Sequence, residues 1–387
     1  MASRLLHQIR ACPVIALILT LGLSAAEKED IFPLDARHNH ASSLVQLPNG
    51  DLFVCWYRGS GEREADDVVV MAARKKKGAA SWTEPYVLAD TPGFPDTNPT
   101  LFLDRDGRLW FFWQAIVANR WETAITKMRS TMRWQADPIQ WDAGDILLVK
   151  PLNIAERVEQ VFGPLHPLTA KARDKYFSRL GWMTRAHPTQ LPSGRILLPL
   201  YSDGYSFSLV AHSDDSGLTW QAGEPIVGLG NIQPSIARRK DGTLVAYMRD
   251  NGPPPKRVHI SYSKDDGVTW TPAADTDIPN SGTGLEVLVL RDGRWLLINN
   301  DTEQGRYSLA VWLSVDEGRT WTWKRHLELR EGDSFHYPSV LESPDGAIHC
   351  SYSVFLNHLP PGQPNKTIRH ATFTPAWIVQ GDASAAP

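Results

Sequence analysis

Three copies of one eight-residue phrase, S-x-D-x-G-x-T-W, recur about fifty residues apart, at Ser213–Trp220, Ser263–Trp270 and Ser314–Trp321. A period of forty to fifty residues closing on a glycine turn and a tryptophan is the length of one four-stranded propeller blade. The phrase has a mechanical reading. Asp215, Asp265 and Asp316 are placed to accept bonds from nearby backbone N–H groups, while Gly217, Gly267 and Gly318 supply the positive φ of a hairpin turn. Trp220, Trp270 and Trp321 are then expected to pack between neighbouring blades.

A second repeat counts the blades. Each copy is an apolar strand, a glycine turn and another apolar strand, turning at Gly50, Gly107, Gly194, Gly242, Gly293 and Gly346, which gives six. The fold class is therefore all-β, a six-bladed β-propeller forming one domain over residues 27–387. The interval from Gly107 to Gly194 is too long for one blade, so an insertion is expected near residues 120–180, as a loop or small helical excursion over one face. Four copies place a polar residue and a proline just before the strand: Asn98-Pro99, His187-Pro188, Gln233-Pro234 and Tyr337-Pro338, with His40 and Glu286 at comparable places in the other two. In a propeller the innermost strands line a central channel, so these residues converge on one end of the axis, where the site is expected.

The first 26 residues read separately. Arg4 and Arg10 precede an apolar run, Val14 to Leu23, and Ser24-Ala25-Ala26 has the small-residue pattern of a signal-peptidase site. The mature chain is expected to be exported, to the periplasm or beyond, and no later segment is apolar enough to cross a bilayer. Cys55 and Cys350 remain after the leader and lie in strand-like runs, where buried thiols are expected and a disulfide is open. The chain has no cysteine framework and no Cys-rich metal pattern. A formal net charge of −3 supplies no basic field for nucleic acid.

At the level of motifs the octamers resemble the Asp-boxes, or BNR repeats, of the sialidase (neuraminidase) superfamily, and the resemblance covers His40 to about Phe373. It implies an arginine triad for a substrate carboxylate, a tyrosine nucleophile polarised by a glutamate, and an aspartate acid/base, without cofactor or metal. Guanidinium forks suit a carboxylate because they are planar and always charged. A phenol needs a neighbouring base to attack at neutral pH. Carried over by position, Arg249 and Arg306 resemble the second and third arginines, Tyr337 the nucleophile, and Asp67 the acid/base, with Asp66 as the adjacent candidate.

Two positions depart from the family pattern. His40 stands where the first arginine is expected, and Gln233 stands where the polarising glutamate is expected, leaving Glu286 as the carboxylate to replace it. His40, His187, Gln233, Arg63, Asp66 and Asn98 are expected to contact substrate. The histidines His38, His40 and His187 near one axis also admit a metal reading, although no fourth ligand is in sight. The implied activity is an exo-α-sialidase type glycosidase acting on a terminal acidic sugar. A propeller lyase or glycosidase for uronic-acid glycans, and a carbohydrate-binding propeller without turnover, stay open as alternatives.

Overall fold

The computed structural model describes residues 25–382, so all of the expected leader except Ala25 and Ala26 lies outside it. Six antiparallel sheets follow one another along the chain, each running from an inner to an outer strand. Their inner strands are His38–Gln46, Asp96–Leu103, the interrupted pair Met183–Thr184 and Thr189–Gln190, then Asn231–Arg238, Glu286–Val289 and Ser334–Glu342. The sixth blade is completed from the start of the chain: Glu27–Asp30 pairs with Lys366–Phe373, Glu27 opposite Thr372. Glu29 fastens this seam, accepting from Lys75 Nζ of the first blade at 2.6 Å and pairing with His370 Nδ1 of the sixth at 2.8 Å. Closing the ring in this way leaves no long exposed sheet edge at the junction.

The three octamers fold alike. In the first, Gly217 N donates to Ser213 Oγ at 2.8 Å and Thr219 N to Asp215 Oδ1 at 2.9 Å. The same bonds recur from Gly267 and Thr269, and from Gly318 and Thr320. Ser216, Asp266 and Glu317 hold positive φ beside those glycines, giving two successive left-handed residues per turn. Each turn then seats on the preceding blade. A Cβ at Gly217 would strike Trp110, one at Gly267 would meet Leu197, and one at Gly318 would strike Tyr247 as well as Trp295 of its own blade. Trp220 lies edge-on to Trp110 and Phe112, and Trp321 edge-on to Tyr247, so the tryptophans do fill the spaces between blades.

Nearer the axis the blades are joined by one recurring bond. Ser43, Ser235 and Ser339, each following a bulge on its inner strand, accept through Oγ from Leu101 N at 2.9 Å, Val287 N at 3.0 Å and Leu44 N at 3.0 Å of the next blade. Glu286 occupies the same place in the fifth blade, where its Oε2 accepts from Val340 N at 2.9 Å.

The long interval holds three short helices, Ile154–Phe162, Pro167–Arg173 and Lys175–Arg179. Ile154, Val158 and Ala172 of these helices join Phe112, Leu198 and Phe207 in one apolar cluster, against the sides of the second and third blades. Cys55 and Cys350 are buried free thiols. Among the described residues no helix is long and apolar enough to cross a membrane.

The seating of the octamers gives a comparison of two glycines. Gly318 and Gly332 both hold positive φ, 73° and 87°, but a Cβ at Gly332 meets nothing within 4 Å. Both Gly→Ala changes carry the backbone strain, and Gly318→Ala adds a clash with Tyr247 and Trp295. Gly318→Ala is therefore expected to cost about 1–3 kcal/mol more than Gly332→Ala in urea unfolding. Equal losses would show that the turn does not depend on the neighbouring blade.

Candidate active site

The inner strands open on a shared irregularity. Ala41, Asn98, Gln233 and Tyr337 hold φ of 52°, 44°, 57° and 58°. Each sits at a register shift in the pairing of its inner strand with the next strand. These are β-bulges, and the residue that follows is Ser42 in the first blade and proline in the other three. Proline suits a bulge because its missing N–H costs no ladder bond there. Four non-glycine residues in the left-handed region at one end of the axis mark strain gathered in one place, an outlier pattern typical of binding and catalytic sites. The bulges direct Asn98, Gln233 and Tyr337 toward one another.

Tyr337 is the centre of the group. Its Oη accepts from Arg249 Nη1 at 2.8 Å and from Gln233 Nε2 at 3.3 Å. The Arg306 guanidinium lies over its ring at 5.8 Å from the centroid, and the His40 ring packs against it at 4.4 Å. Asn98 Nδ2 donates to Tyr201 Oη at 3.1 Å on the adjoining wall. Of the six residues expected at the axis, Gln233, His40 and Tyr337 are thus brought together with Arg249 and Arg306, and Asn98 stands on the adjoining wall.

Arg185 was not anticipated. It is 3 % exposed, comes from the break in the third blade's inner strand, and lies under the Tyr337 ring at 5.0 Å. Its Nη2 donates to Pro338 O at 2.8 Å and its Nη1 to Ser42 O at 3.4 Å, so it joins the bulges of the sixth and first blades. The polar-residue-plus-proline pattern pointed to His187, two residues on. The available signal was a charged residue inside an otherwise apolar strand opening, Met183-Thr184-Arg185.

The other expected residues divide. Glu286 does not reach Tyr337: its Oε1 accepts from His187 N at 3.0 Å and meets His187 Nδ1 at 2.6 Å, and its Oε2 holds Val340 N. His187 Nε2 lies 2.8 Å from Leu44 O. His187 and Glu286 together bolt the third, fifth, first and sixth blades across the channel, below the tyrosine. Asp67 is exposed and accepts from Ser60 N at 3.0 Å and Ser60 Oγ at 2.8 Å, bonds that hold its carboxyl below the usual range. Asp66 is exposed beside it. Arg63 stacks on Trp121 at 5.5 Å, forming part of the rim.

Charge in the site is uneven. Burial first, then coupling to the imidazoles of His336 and His38 and to the guanidinium groups of Arg306 and Arg185, drives His40 well below its ordinary value. Burial and Arg306 do the same to His336. Both imidazoles are therefore neutral near pH 7, and the Nδ1 of each is buried without a partner. Asp203 behaves oppositely. Burial pushes its carboxyl up to about 6, with Glu122 and Glu62 adding to the rise against Arg249 and Arg63. Glu62 itself is desolvated, but bonds from His38 Nε2 at 3.1 Å and Tyr57 Oη at 2.8 Å bring it below its ordinary value. Among the described residues no group of three or more His, Cys, Asp or Glu is arranged to hold a metal ion. Arg58, Asp96, Asp250 and Asn300, which flank channel strands in the sequence, are engaged in local ties to Asp35, Trp113, Gly252 and Ser308.

Comparison with known proteins gives a consistent picture. The model of the BNR repeat-like domain family matches residues 50–350. A sialidase of Micromonospora viridifaciens is 27% identical over 177 residues, covering 43% of this chain and 25% of that protein. The chain thus aligns with about a quarter of that relative's length. Among solved structures, the leech intramolecular trans-sialidase in complex with 2,7-anhydro-Neu5Ac superposes with a TM-score of 0.70 at 15% identity, over 92% of this chain and 71% of that one. A protein of unknown function from Dyadobacter fermentans superposes with a TM-score of 0.68 at 17% identity, over 89% and 97%. These neighbours share the propeller.

The His187–Glu286 bolt has a pH signature. Burial opposes the His187 charge, but the Glu286 charge and bond outweigh it and raise His187 above 6.5. Burial likewise opposes the Glu286 charge, and His187 and Arg185 outweigh it and hold Glu286 below 4.5. The raised histidine stabilises fully below its unfolded value of 6.5, and its contribution is lost as pH rises through the folded value. The depressed glutamate stabilises fully above 4.5, and its contribution is lost as pH falls through the folded value. Glu286→Gln is therefore expected to cost the most, about 3–5 kcal/mol, between those two limits. In thermal melts across pH, the gap to the unsubstituted protein should narrow on both sides of that window. A constant gap would mean that the pair is not ionised.

Proposed function

The chain belongs to the BNR repeat-like domain family, and from that membership and the site geometry we propose that it is a sialidase-like glycoside hydrolase releasing a terminal acidic sugar from a glycan. The observation that carries the reading is Tyr337, held at the axis by an arginine bond to its oxygen between two further guanidinium groups. Arg249 and Arg306 reach this space from different blades and suit a sugar carboxylate through forked, charge-assisted bonds. His40, in place of a third arginine, offers a neutral imidazole that suits a hydroxyl.

In the proposed reaction Tyr337 gives its phenol proton to water and its oxygen attacks the anomeric carbon. The bond from that carbon to the glycosidic oxygen breaks, its electron pair stays on the oxygen, and that oxygen takes a proton. Water then displaces the tyrosine from the glycosyl-enzyme. Tyrosine nucleophiles are a recognised exception to the two-carboxylate scheme of glycosidases. By position Asp67 is the acid/base. By environment Asp203 is the better donor, because a carboxyl raised to about 6 keeps part of its protons near neutral pH whereas one depressed by Ser60 does not. The leader-like segment Val14–Ala26 supports action outside the cytoplasm.

Two assays test the reading. Tyr337→Phe should lower kcat/KM on an aryl sialoside on the order of a thousandfold or more with circular dichroism unchanged. Unchanged turnover would remove Tyr337 as nucleophile. Release of an unsaturated, ultraviolet-absorbing product from a uronate polysaccharide, with sialosides untouched, would instead point to a lyase. Asp203→Asn and Asp67→Asn compared side by side identify the proton donor. The loss, about 10²–10⁴-fold, is expected in Asp203→Asn on substrates with poor leaving groups, and should shrink with a nitrophenolate leaving group. If only Asp67→Asn shows that pattern, Asp67 is the donor.

A further inference from the structure

Resting on the nucleophile reading above, we propose that Arg185 is a positioning residue that takes over the work of the absent glutamate, holding Tyr337 in place and stabilising its oxygen as an anion. Gln233 stands where a carboxylate base would take the phenol proton, and in the structure it offers Tyr337 Oη a donor, Nε2, at 3.3 Å. Arg249 Nη1 offers a second donor at 2.8 Å. No protein acceptor for the phenol proton is hydrogen-bonded to Oη among the described residues. Two donors converging on Oη favour that oxygen as it gives up its proton in the reaction.

Arg185 supplies what such an oxygen needs from beneath. A guanidinium that is 3 % exposed ordinarily has a carboxylate partner, because an isolated buried charge is costly. Among the described residues Arg185 has none within ion-pair distance. Its two Nη groups bond the carbonyl oxygens of Ser42 and Pro338, and its Nε has no partner. Its charge is favoured at longer range by Glu286, and the nearest aromatic face to it is that of Tyr337 at 5.0 Å. Arg306, at 5.8 Å on the same ring, adds a second cation. Arg185 also fixes the geometry: Pro338 O and Ser42 O belong to the bulges that aim Tyr337 and carry Ala41 beside His40, so one side chain sets both the position and the charge environment of the nucleophile. Burial lowers the hold of Arg185 on its own proton, yet it remains a cation at working pH because guanidinium starts so high.

The test reads the tyrosine without requiring turnover. The Tyr337 tyrosinate signal is defined as the ultraviolet absorbance that Tyr337→Phe removes, followed with pH on the full chain. Arg185→Gln keeps a donor for Pro338 O and removes the charge. It should move that signal upward by about one pH unit or more, and should move the acid limb of kcat/KM with it. Arg185→Lys keeps the charge, so its signal should stay near that of the unsubstituted protein even where kcat falls. An unmoved signal in a folded Arg185→Gln chain overturns the proposal. Should that chain fail to fold, Arg185→Lys decides: a signal displaced as far as loss of charge requires also overturns it. A protein that hydrolyses sialosides while its tyrosinate signal ignores Arg185 refutes this inference alone. A protein that shows the Arg185 shift but cleaves no glycoside refutes the glycosidase reading alone.

Discussion

Everything at the upper end of the channel depends on one backbone constraint, a left-handed residue inserted into the inner strands of four blades. A regular strand alternates its side chains between the two faces of the sheet. At the bulge the extra residue breaks that alternation, so Asn98, Gln233 and Tyr337 turn toward the axis. Two residues later the chain is back in register, and the serine there ties to the next blade in three of the four cases. The same irregularity therefore both joins the blades and presents the polar side chains. A substitution that removed the bulge would loosen the ring and disperse the site together.

The charge pattern follows from how the two blades without a bulge are built. In the fifth blade the tying position is a glutamate in place of a serine, and its second oxygen turns inward to His187. This carboxylate is already neutralised by the histidine and committed to two backbone N–H groups, so it has no capacity left for the tyrosine. In the third blade the inner strand is interrupted, and the interruption admits Arg185. The site has in effect exchanged a carboxylate beside the phenol oxygen for a guanidinium beneath the ring. Both arrangements favour removal of the phenol proton, one by accepting it and the other by stabilising what remains.

The sequence made the frame legible because the frame is repetitive. Three octamers and six glycine turns recur at fixed spacing, and each has a local cause, a carboxylate bonding backbone N–H groups or a residue with positive φ. Tyr337, Gln233, Asn98, Arg249, Arg306 and His40 were legible for the same reason, since the blade register places them on one axis. Arg185 and the partner of Glu286 were not. Both depend on where the third blade's strand breaks, which is a tertiary outcome with no local signature. Asp203 directly follows the strand Ile196–Ser202, but its role depends on burial among Glu122, Glu62 and Arg249, which spacing along the chain does not encode. The insertion was visible as an excess of length, whereas its helices and their packing against Phe112 and Phe207 were not.

The bolt also bears on the mode of action. Below it lies a cavity of about 780 Å³, lined by Leu44, Pro188, Ile236, Val287 and Val340, opening at the glycine-turn end of the propeller. Above it lies Tyr337. His187 and Glu286 lie between these spaces, with bonds to Leu44 O and Val340 N holding them across the channel. A polysaccharide therefore has no straight path through the axis past the tyrosine. Closure of the axis leaves the binding of the proposed acidic sugar to the groups that meet above the bolt, Arg249, Arg306 and Tyr337.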